Sequence, residues 1–304
     1  MTRRIFKGLT GLLAAMLLLA CGAHLLNSGG AALPAKPPDA LRVATLNVHY
    51  IVQDGGDGPW SVPGWERRKT PMDALFKAMA PDILALQESE TFPATNRDGT
   101  NLTLDFLLAQ NPGYAAAATG DPSRFPSTQP ILYRTDRLTP LDQGWFFFSD
   151  TPDMIYSRTF DGSWPAFASW TEFRGPSGRV FRVVNLHFEY RSRSNRRLSA
   201  ALVRDRIAPV IAEGTPVVLV GDINAMRGSA TMDRLAQAGL SFLPVEGATY
   251  HFGRGINLFG AIDHIAHSDG FTPRGAPVVL RRRFGDTWPS DHYPVVADLS
   301  LADP

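Results

Sequence analysis

The sequence predicts a mixed α/β fold in which two β-sheets pack together in the middle and helices lie outside them. Three observations predict it. Short apolar runs, many of them β-branched, are bounded by Gly, Pro, Asp or Ser. Amphipathic helical segments separate some of these runs. Acids, amides and histidines recur at the ends of the runs. At 304 residues and 44% hydrophobic composition, the chain is long enough to bury a large core.

The first stretch, MTRRIFKGLTGLLAAMLLLAC, reads as an export segment over residues 1–21. Arg3, Arg4 and Lys7 form its basic start, and an apolar run from Leu9 to Ala20 follows, short for a membrane span. Leu18-Leu19-Ala20-Cys21 resembles a bacterial lipobox, with Cys21 as the residue that would carry lipid. It is the sole cysteine, so the chain forms no internal disulfide and a cysteine nucleophile is not expected. Thr2 to Lys7 also resembles a twin-arginine export motif, with Lys7 where Leu is usual. Export to the periplasm, free or as a membrane-anchored lipoprotein, is the expectation. Residues 22–40, with the Pro-rich stretch NSGGAALPAKPPDA, read as a flexible linker. One domain, 41–304, follows without a further break.

Strands are expected at Leu41–Val48, Ile83–Gln87, Pro130–Tyr133, Ala166–Phe173, Val180–His187, Pro216–Val220, Ile262–His267 and Val295–Leu301. Arg67–Met79 puts Met72, Leu75, Phe76 and Met79 on one helical face. Leu198–Ile211 and Ala230–Ala238 are the other expected helices. The stretch 93–128 reads as irregular. Residues 145–170 are unusually aromatic, with Trp145 and Phe147 expected to face inward and the rest to lie over a site.

Charge narrows the partners. Formal net charge is +1, but of the 30 Lys and Arg three belong to the leader, leaving 27 against 29 acids, about −2. A nucleic-acid binder usually carries a basic excess, so the global charge gives that class no support. Two local tracts remain: Arg191, Arg193, Arg196 and Arg197 after the His187 strand, and Arg281-Arg282-Arg283. Either would suit a phosphate, a nucleic acid or an anionic lipid surface.

The strand-end polar residues point to phosphoester chemistry. A phosphodiester repels anionic nucleophiles, and a divalent cation both neutralises the phosphate and lowers the pKa of bound water. Mg²⁺ takes oxygen ligands, so Asn47, Glu88 and Asp291 are candidate metal residues, with Mn²⁺ a second candidate ion. Asp222 and Asn224, two apart, would share a side and activate water or hold phosphate. His187 and His292 would donate to phosphate oxygens or move protons. Asp263 would pair with a histidine and set its tautomer. Each residue alone has an ordinary reading as a turn, cap or core group. The ordered set is what points to a site.

These segments resemble the endonuclease/exonuclease/phosphatase superfamily, the deoxyribonuclease-I-like fold. The resemblance rests on TLNVHY, LALQES, QPILYR, VVNLHFEYRS, LVGDIN, IDHI and SDHYPV, in order through nearly all of 41–304. Leu186 stands where the family has Thr, and Ile223 where it has Phe. The resemblance implies a four-layer sandwich, two mostly antiparallel mixed sheets face to face with helices on both outer sides. It implies Glu88 as metal ligand, Asn47 aiding metal and phosphate positioning, and His187 as a phosphate-binding residue. It also implies that Arg158, Arg196 and Arg197 contact substrate. The expected activity is Mg²⁺-dependent phosphoester hydrolysis by in-line attack of water, in a monomer. Trp-Cys-Asp-Arg and Trp-Arg-Leu-Asp-Tyr, which mark inositol phosphatases and abasic endonucleases, are absent. The substrate stays open between nucleic acid, phospholipid and phosphorylated small molecule. A tethered lipid phosphodiesterase of sphingomyelinase type and a non-catalytic binding protein on the same fold are the alternatives.

Overall fold

The computed structural model describes residues 2–92, 99–162 and 164–302, without the side chains of residues 2–10 and Phe92. The chain begins with helix α1 (Thr2–Asn27), then β1 (Ala40–Asn47), β2 (Ile51–Val52), α2 (Val62–Met79), β3 (Ile83–Gln87) and β4 (Thr91–Phe92). It continues through α3 (Leu102–Gln110), β5 (Tyr114–Ala117), β6 (Ile131–Arg134), β7 (Thr139–Phe147), β8 (Phe167–Arg174) and β9 (Val180–His187). Then follow α4 (Arg193–Ala212), β10 (Val217–Asp222), α5 (Ala230–Ala236), β11 (Ser241–Phe242) and β12 (Asp263–His267). The last strands are β13 (Phe271–Pro273), β14 (Val278–Val279) and β15 (Val295–Leu301).

Two mixed sheets form the centre. One has the order β13-β15-β1-β3-β6-β5, with β14 also on β15; the other runs β11-β12-β10-β9-β8-β7. Each contains one parallel pair, β1 with β3 and β9 with β10, and is otherwise antiparallel. Strand alternation assigns each side chain to a layer. Val43 and Ala85 point between the sheets, where they join Phe173, Phe181, Val183 and Val220. Their neighbours Ala44, Leu84 and Leu86 point outward and are covered by Trp65, Met72, Leu75 and Phe76 of α2. On the other outer face Val184 and Leu219 meet Ala200, Val203 and Ile207 of α4 and Leu235 of α5. Fully burying one such side chain stabilises the fold by about 1.5–3 kcal/mol before entropy is charged against it. The expected four-layer sandwich is therefore present.

Local signals explain several boundaries. Helix α2 starts five residues earlier than expected. Ser61 caps it through Gly64 N–H (3.1 Å), and a Pro sits in its first turn. Ser192 caps α4 in the same way through Asn195 N–H. The aromatic stretch begins within an edge strand: β7 pairs with β8, burying Phe146 and Phe147 and leaving Leu141 exposed. Trp145 is half-buried and donates to Arg124 O, while Trp164 is 67% exposed. Helix α3 and strand β5 lie in the stretch read as irregular, whose residues 93–98 are outside the described set.

Residues 22–27 belong to α1 and 28–39 form no strand, and the segment is bonded to the domain at several points. Asn257 N–H donates to His24 Nδ1 (3.1 Å), Ala248 N–H to Asn27 O (3.0 Å), and Arg42 to Pro34 O (2.8 Å). Lys36 pairs with buried Asp82 at 2.6 Å. Composition concealed this, because these anchors are two backbone carbonyls, one histidine and one lysine among small residues.

Candidate active site

The parallel pair of each sheet brings two strand ends side by side. Asn47 is level with Gln87, so Glu88 emerges one residue beyond Asn47's neighbour. Asp222 is level with His187 on one side and Asp263 on the other. Because the sheets pack face to face, these ends converge. Asn47 Nδ2 donates to Glu88 Oε1 (3.0 Å) and to Asp222 Oδ2 (3.2 Å), linking the sheets. His187 Nε2 lies 3.7 Å from both Glu88 Oε1 and Asp222 Oδ2. His292 Nε2 lies 3.8 Å from Asp222 Oδ2, and its Nδ1–H donates to Asp263 Oδ2 at 2.9 Å. Asn224 donates its backbone N–H to Asp222 Oδ1 (2.9 Å) and its side-chain N–H to Phe188 O (2.9 Å).

Two backbone positions enable this convergence. Gly221 has φ 142°, and a Cβ there would stand 2.0 Å from Leu186 O, so the approach of β10 to β9 requires glycine. Glu88 and Asn224 themselves adopt left-handed φ, 52° and 51°. Strained non-glycine residues persist where surrounding contacts hold them, and these two carry site side chains.

Electrostatics divides the roles. Burial and the neighbouring Asp263 carboxylate push Asp222 up to about 6, against the opposing pull of His292 and His187. Burial opposes charge on His292, but the charge of Asp263 and its hydrogen bond outweigh it and raise the imidazole well above its usual range. Burial also disfavours ionised Asp291, yet the imidazoles of His292 and His49 hold it below the usual carboxylate range. The pattern is a protonated imidazole held by one carboxylate beside a second carboxylate that can accept a proton.

The donor set fits a hard cation. Glu88 is a partly exposed carboxylate (24%) at the cleft, and the Asn47 amide N–H bridges it to the Asp222 carboxylate. Donor atoms of Asp222, Asp263 and His292 also lie within 4.8 Å of one another. That trio is already bonded internally through the Asp263–His292 pair, and a protonated His292 is no ligand. The Glu88 side of the cleft is the better cation position. Asn47 presents its N–H to the carboxylates there, while its Oδ1 accepts His49 N–H (3.0 Å).

The three expected substrate arginines differ in burial. Arg196 is buried and donates to Glu189 O (2.7 Å) and Tyr190 O (2.9 Å), shaping the loop after β9. Arg158 and Arg197 are exposed.

Several supporting residues were not singled out by sequence. Gln87 Nε2 donates to Asn185 Oδ1 (2.7 Å) and Thr45 Oγ1 (3.0 Å), and Asn185 Nδ2 to Leu86 O (2.8 Å), a buried bridge beneath the site. Ser290 Oγ donates to Asn47 O (2.6 Å) and accepts His292 N–H (3.2 Å). Thr249 Oγ1 accepts Asp263 N–H (3.1 Å). Tyr250 lies against His292 at 5.0 Å between ring centres. Burial and Glu88 push nearby Glu90 up to about 7. Polar residues inside apolar runs were the available signal for Gln87 and Asn185.

The chain resembles solved structures over most of its length. An endonuclease/exonuclease/phosphatase family protein from Bacteroides thetaiotaomicron is 24% identical with TM-score 0.72, over 88% of this chain and 99% of that one. A mannosyl-6-phosphatase from the same organism is 25% identical with TM-score 0.70, over 85% and 99%. D. rerio TDP2 complexed with single-strand DNA product is 16% identical with TM-score 0.59, over 86% and 98%. No curated protein matches the chain. The Endonuclease/Exonuclease/phosphatase family matches residues 44–292, from within β1 to His292, and the chain belongs to that family.

Proposed function

We propose that this protein is a divalent-metal phosphoester hydrolase, using Mg²⁺ or Mn²⁺, that acts on phosphorylated small molecules or lipid headgroups at the outer side of a membrane. The observation that carries the reading is the convergence of Asn47, Glu88, His187, Asp222 and the Asp263–His292 pair on one point between two sheets. A cation held at Glu88, and through its water shell at Asp291, would neutralise the phosphate and acidify a bound water. Asp222 takes the proton of the attacking water as its oxygen forms the new bond to phosphorus, in line with the departing ester oxygen. The imidazolium of His292, with His187 beside it, donates to the non-bridging oxygens where charge accumulates. Asp263 keeps that imidazolium protonated and oriented. Asn47 and Asn224 hold Asp222 and Glu88 in register.

Charge placement favours small or lipid substrates over nucleic acid. Arg196 serves backbone carbonyls, and Arg281 donates to Ala248 O (2.7 Å), Gly29 O and Glu246 O. Arg282 and Arg283 lie over the Phe284 and Trp288 rings. One arginine of each tract is thus engaged with backbone carbonyls, while Arg282 and Arg283 stay exposed beside those rings. The likeness to a mannosyl-6-phosphatase supports a phosphomonoester. Export and tethering rest on the leader and on the exposed Cys21. The test is hydrolysis by the full chain of p-nitrophenyl phosphate, a hexose 6-phosphate, bis-p-nitrophenyl phosphate, a phospholipid and DNA, with Mg²⁺ or with chelator. Turnover of a monoester or phospholipid that chelator abolishes supports the reading. Activity unchanged in chelator, or confined to DNA, overturns it.

A further inference from the structure

Loop 250–260 joins two parts of the molecule that the hydrolytic reading leaves separate. Its first residue packs on the site: the Tyr250 ring lies 5.0 Å from His292 and 4.6 Å from Phe252. Its middle is tied to the last turn of α1 and the residue after it. Asn257 N–H donates to His24 Nδ1 (3.1 Å) and Asn257 Nδ2 to Ser28 Oγ (2.9 Å). Around these anchors the loop turns Phe252, Ile256 and Leu258 outward, each about 40% exposed. Leu25 and Leu26, on the turn of α1 that meets the loop, are 75% and 84% exposed. Farther up α1, Leu12, Leu13, Met16, Leu17, Leu18 and Leu19 stand more than half exposed. Among the described residues no helix is long and apolar enough to cross a membrane. Exposed apolar loop tips beside the exposed apolar end of α1 have the composition of a surface that lies against lipid. Exposed Arg254, Arg282 and Arg283 flank it, and Arg283 lies over Trp288, on which Gly255 packs. Arginines beside an apolar edge suit anionic headgroups.

We propose that Phe252, Ile256 and Leu258 form a lip that seats on an anionic bilayer and holds the catalytic mouth against it. The inference rests on the proposed tethering, not on hydrolysis. The docked segment gives the lip its geometry. Only Gly22 and Ala23 separate Cys21 from His24, so a lipid on Cys21 would sit two residues from the loop that packs on His292. The anchor would therefore fix the orientation of the site, which a free linker could not. A second copy of the chain is the less suitable occupant, because the exposed Arg254, Arg282 and Arg283 around the lip would face their own like charges across a two-fold contact.

The experiment uses the full chain carrying Cys21→Ser, with a polarity-sensitive fluorophore on a single new cysteine at Ile256, Leu258, Leu18 or Asp142. Asp142 is exposed on β7, the far edge of the second sheet. Each labelled protein is first matched to the unlabelled chain by circular dichroism. Vesicles are equal parts phosphatidylcholine and phosphatidylglycerol. The expected result is a blue shift and brightening at Ile256 and Leu258 comparable to that at Leu18, with none at Asp142. A shift at Leu18 alone overturns the lip and leaves the tether standing. No shift at any position overturns both. A shift at Ile256 that grows with protein concentration without vesicles assigns the surface to a second copy and overturns the proposal.

Discussion

His292 and Asp263 share a hydrogen bond of 2.9 Å between Nδ1 and Oδ2, and both side chains are buried. The pair leaves Nε2 facing Asp222, the only direction in which the imidazole can act on substrate. Asp263→Asn removes the charge that keeps the ring protonated while retaining size. We expect kcat to fall by about 10²–10⁴, the usual range for a lost proton-transfer group, with KM nearly unchanged. Steady-state kinetics on the best ester checks this; a fall confined to KM would assign the pair to binding.

Unlike the buried Asp222 and Asp263, Glu88 keeps solvent access at the cleft. Glu88→Gln preserves its shape and removes its charge. Mg²⁺ binding measured by calorimetry should weaken by at least about tenfold, the scale of losing a charged ligand or its support, while circular dichroism stays unchanged. Undiminished Mg²⁺ affinity would place the cation elsewhere.

Much of this site was legible because a buried strand has little reason to end on a charged or amide group. Asn47, Glu88, Asp222, Asp263 and His292 announced themselves that way, and the structure brings all five together. Arg196 shows the converse: in sequence it is one more cation at a helix start, and only the fold shows its guanidinium bonded to two carbonyls. Strand β7 was obscured because its first five residues are exposed and polar or irregular, which hides an edge strand from a pattern search. Gln87 and Asn185 lay inside expected strands, but their partnership crosses between sheets, which no local pattern encodes.

Gly221 allows a direct test of the backbone argument. With φ 142° and Leu186 O at 2.0 Å from a built Cβ, Gly221→Ala must displace β10 from β9 just before Asp222. The cost should reach ~2 kcal/mol or more, the range of severe backbone strain. Thermal unfolding should register it as a drop of several degrees, together with reduced activity. A Tm equal to that of the parent chain would show that the strand pair relaxes freely.

His251 supplies a pH prediction away from proton transfer. It is buried, stacks on Tyr293, and accepts Gly255 N–H on Nδ1 (3.2 Å). Burial, partly opposed by Asp291, lowers its pKa to about 4. The unfolded chain binds this proton near pH 6.5 and the folded chain only near 4, so stability is complete above 6.5 and lost as pH falls toward 4. The full loss is about 3 kcal/mol. Urea denaturation at pH 7.5 and pH 4 should show the parent chain losing more than His251→Gln by roughly that amount. Equal losses would remove His251 as the acid-sensitive group.

Arg68 is the supporting residue that sequence concealed most completely, since an arginine on an amphipathic helix ordinarily points to solvent. Here it is 4% exposed. Its guanidinium donates to Val48 O and His49 O (both 2.5 Å), Tyr50 O (3.4 Å) and Pro289 O (3.2 Å). Those carbonyls follow Asn47 on one side and precede Asp291 and His292 on the other, so one side chain holds both loops. Its charge also faces Asp291 and Glu88, which together keep it protonated although burial lowers its pKa to about 10. Arg68→Met fills the space but leaves several buried carbonyls without donors, each worth about 1–3 kcal/mol when stranded. Arg68→Lys restores charge and one or two donors. If Arg68 positions the site, Lys should recover most of the stability but little of the activity, because it cannot hold two loops at once. Chemical denaturation and kcat measured in parallel on the two variants decide this; activity that tracks stability in both would reduce Arg68 to a general packing role.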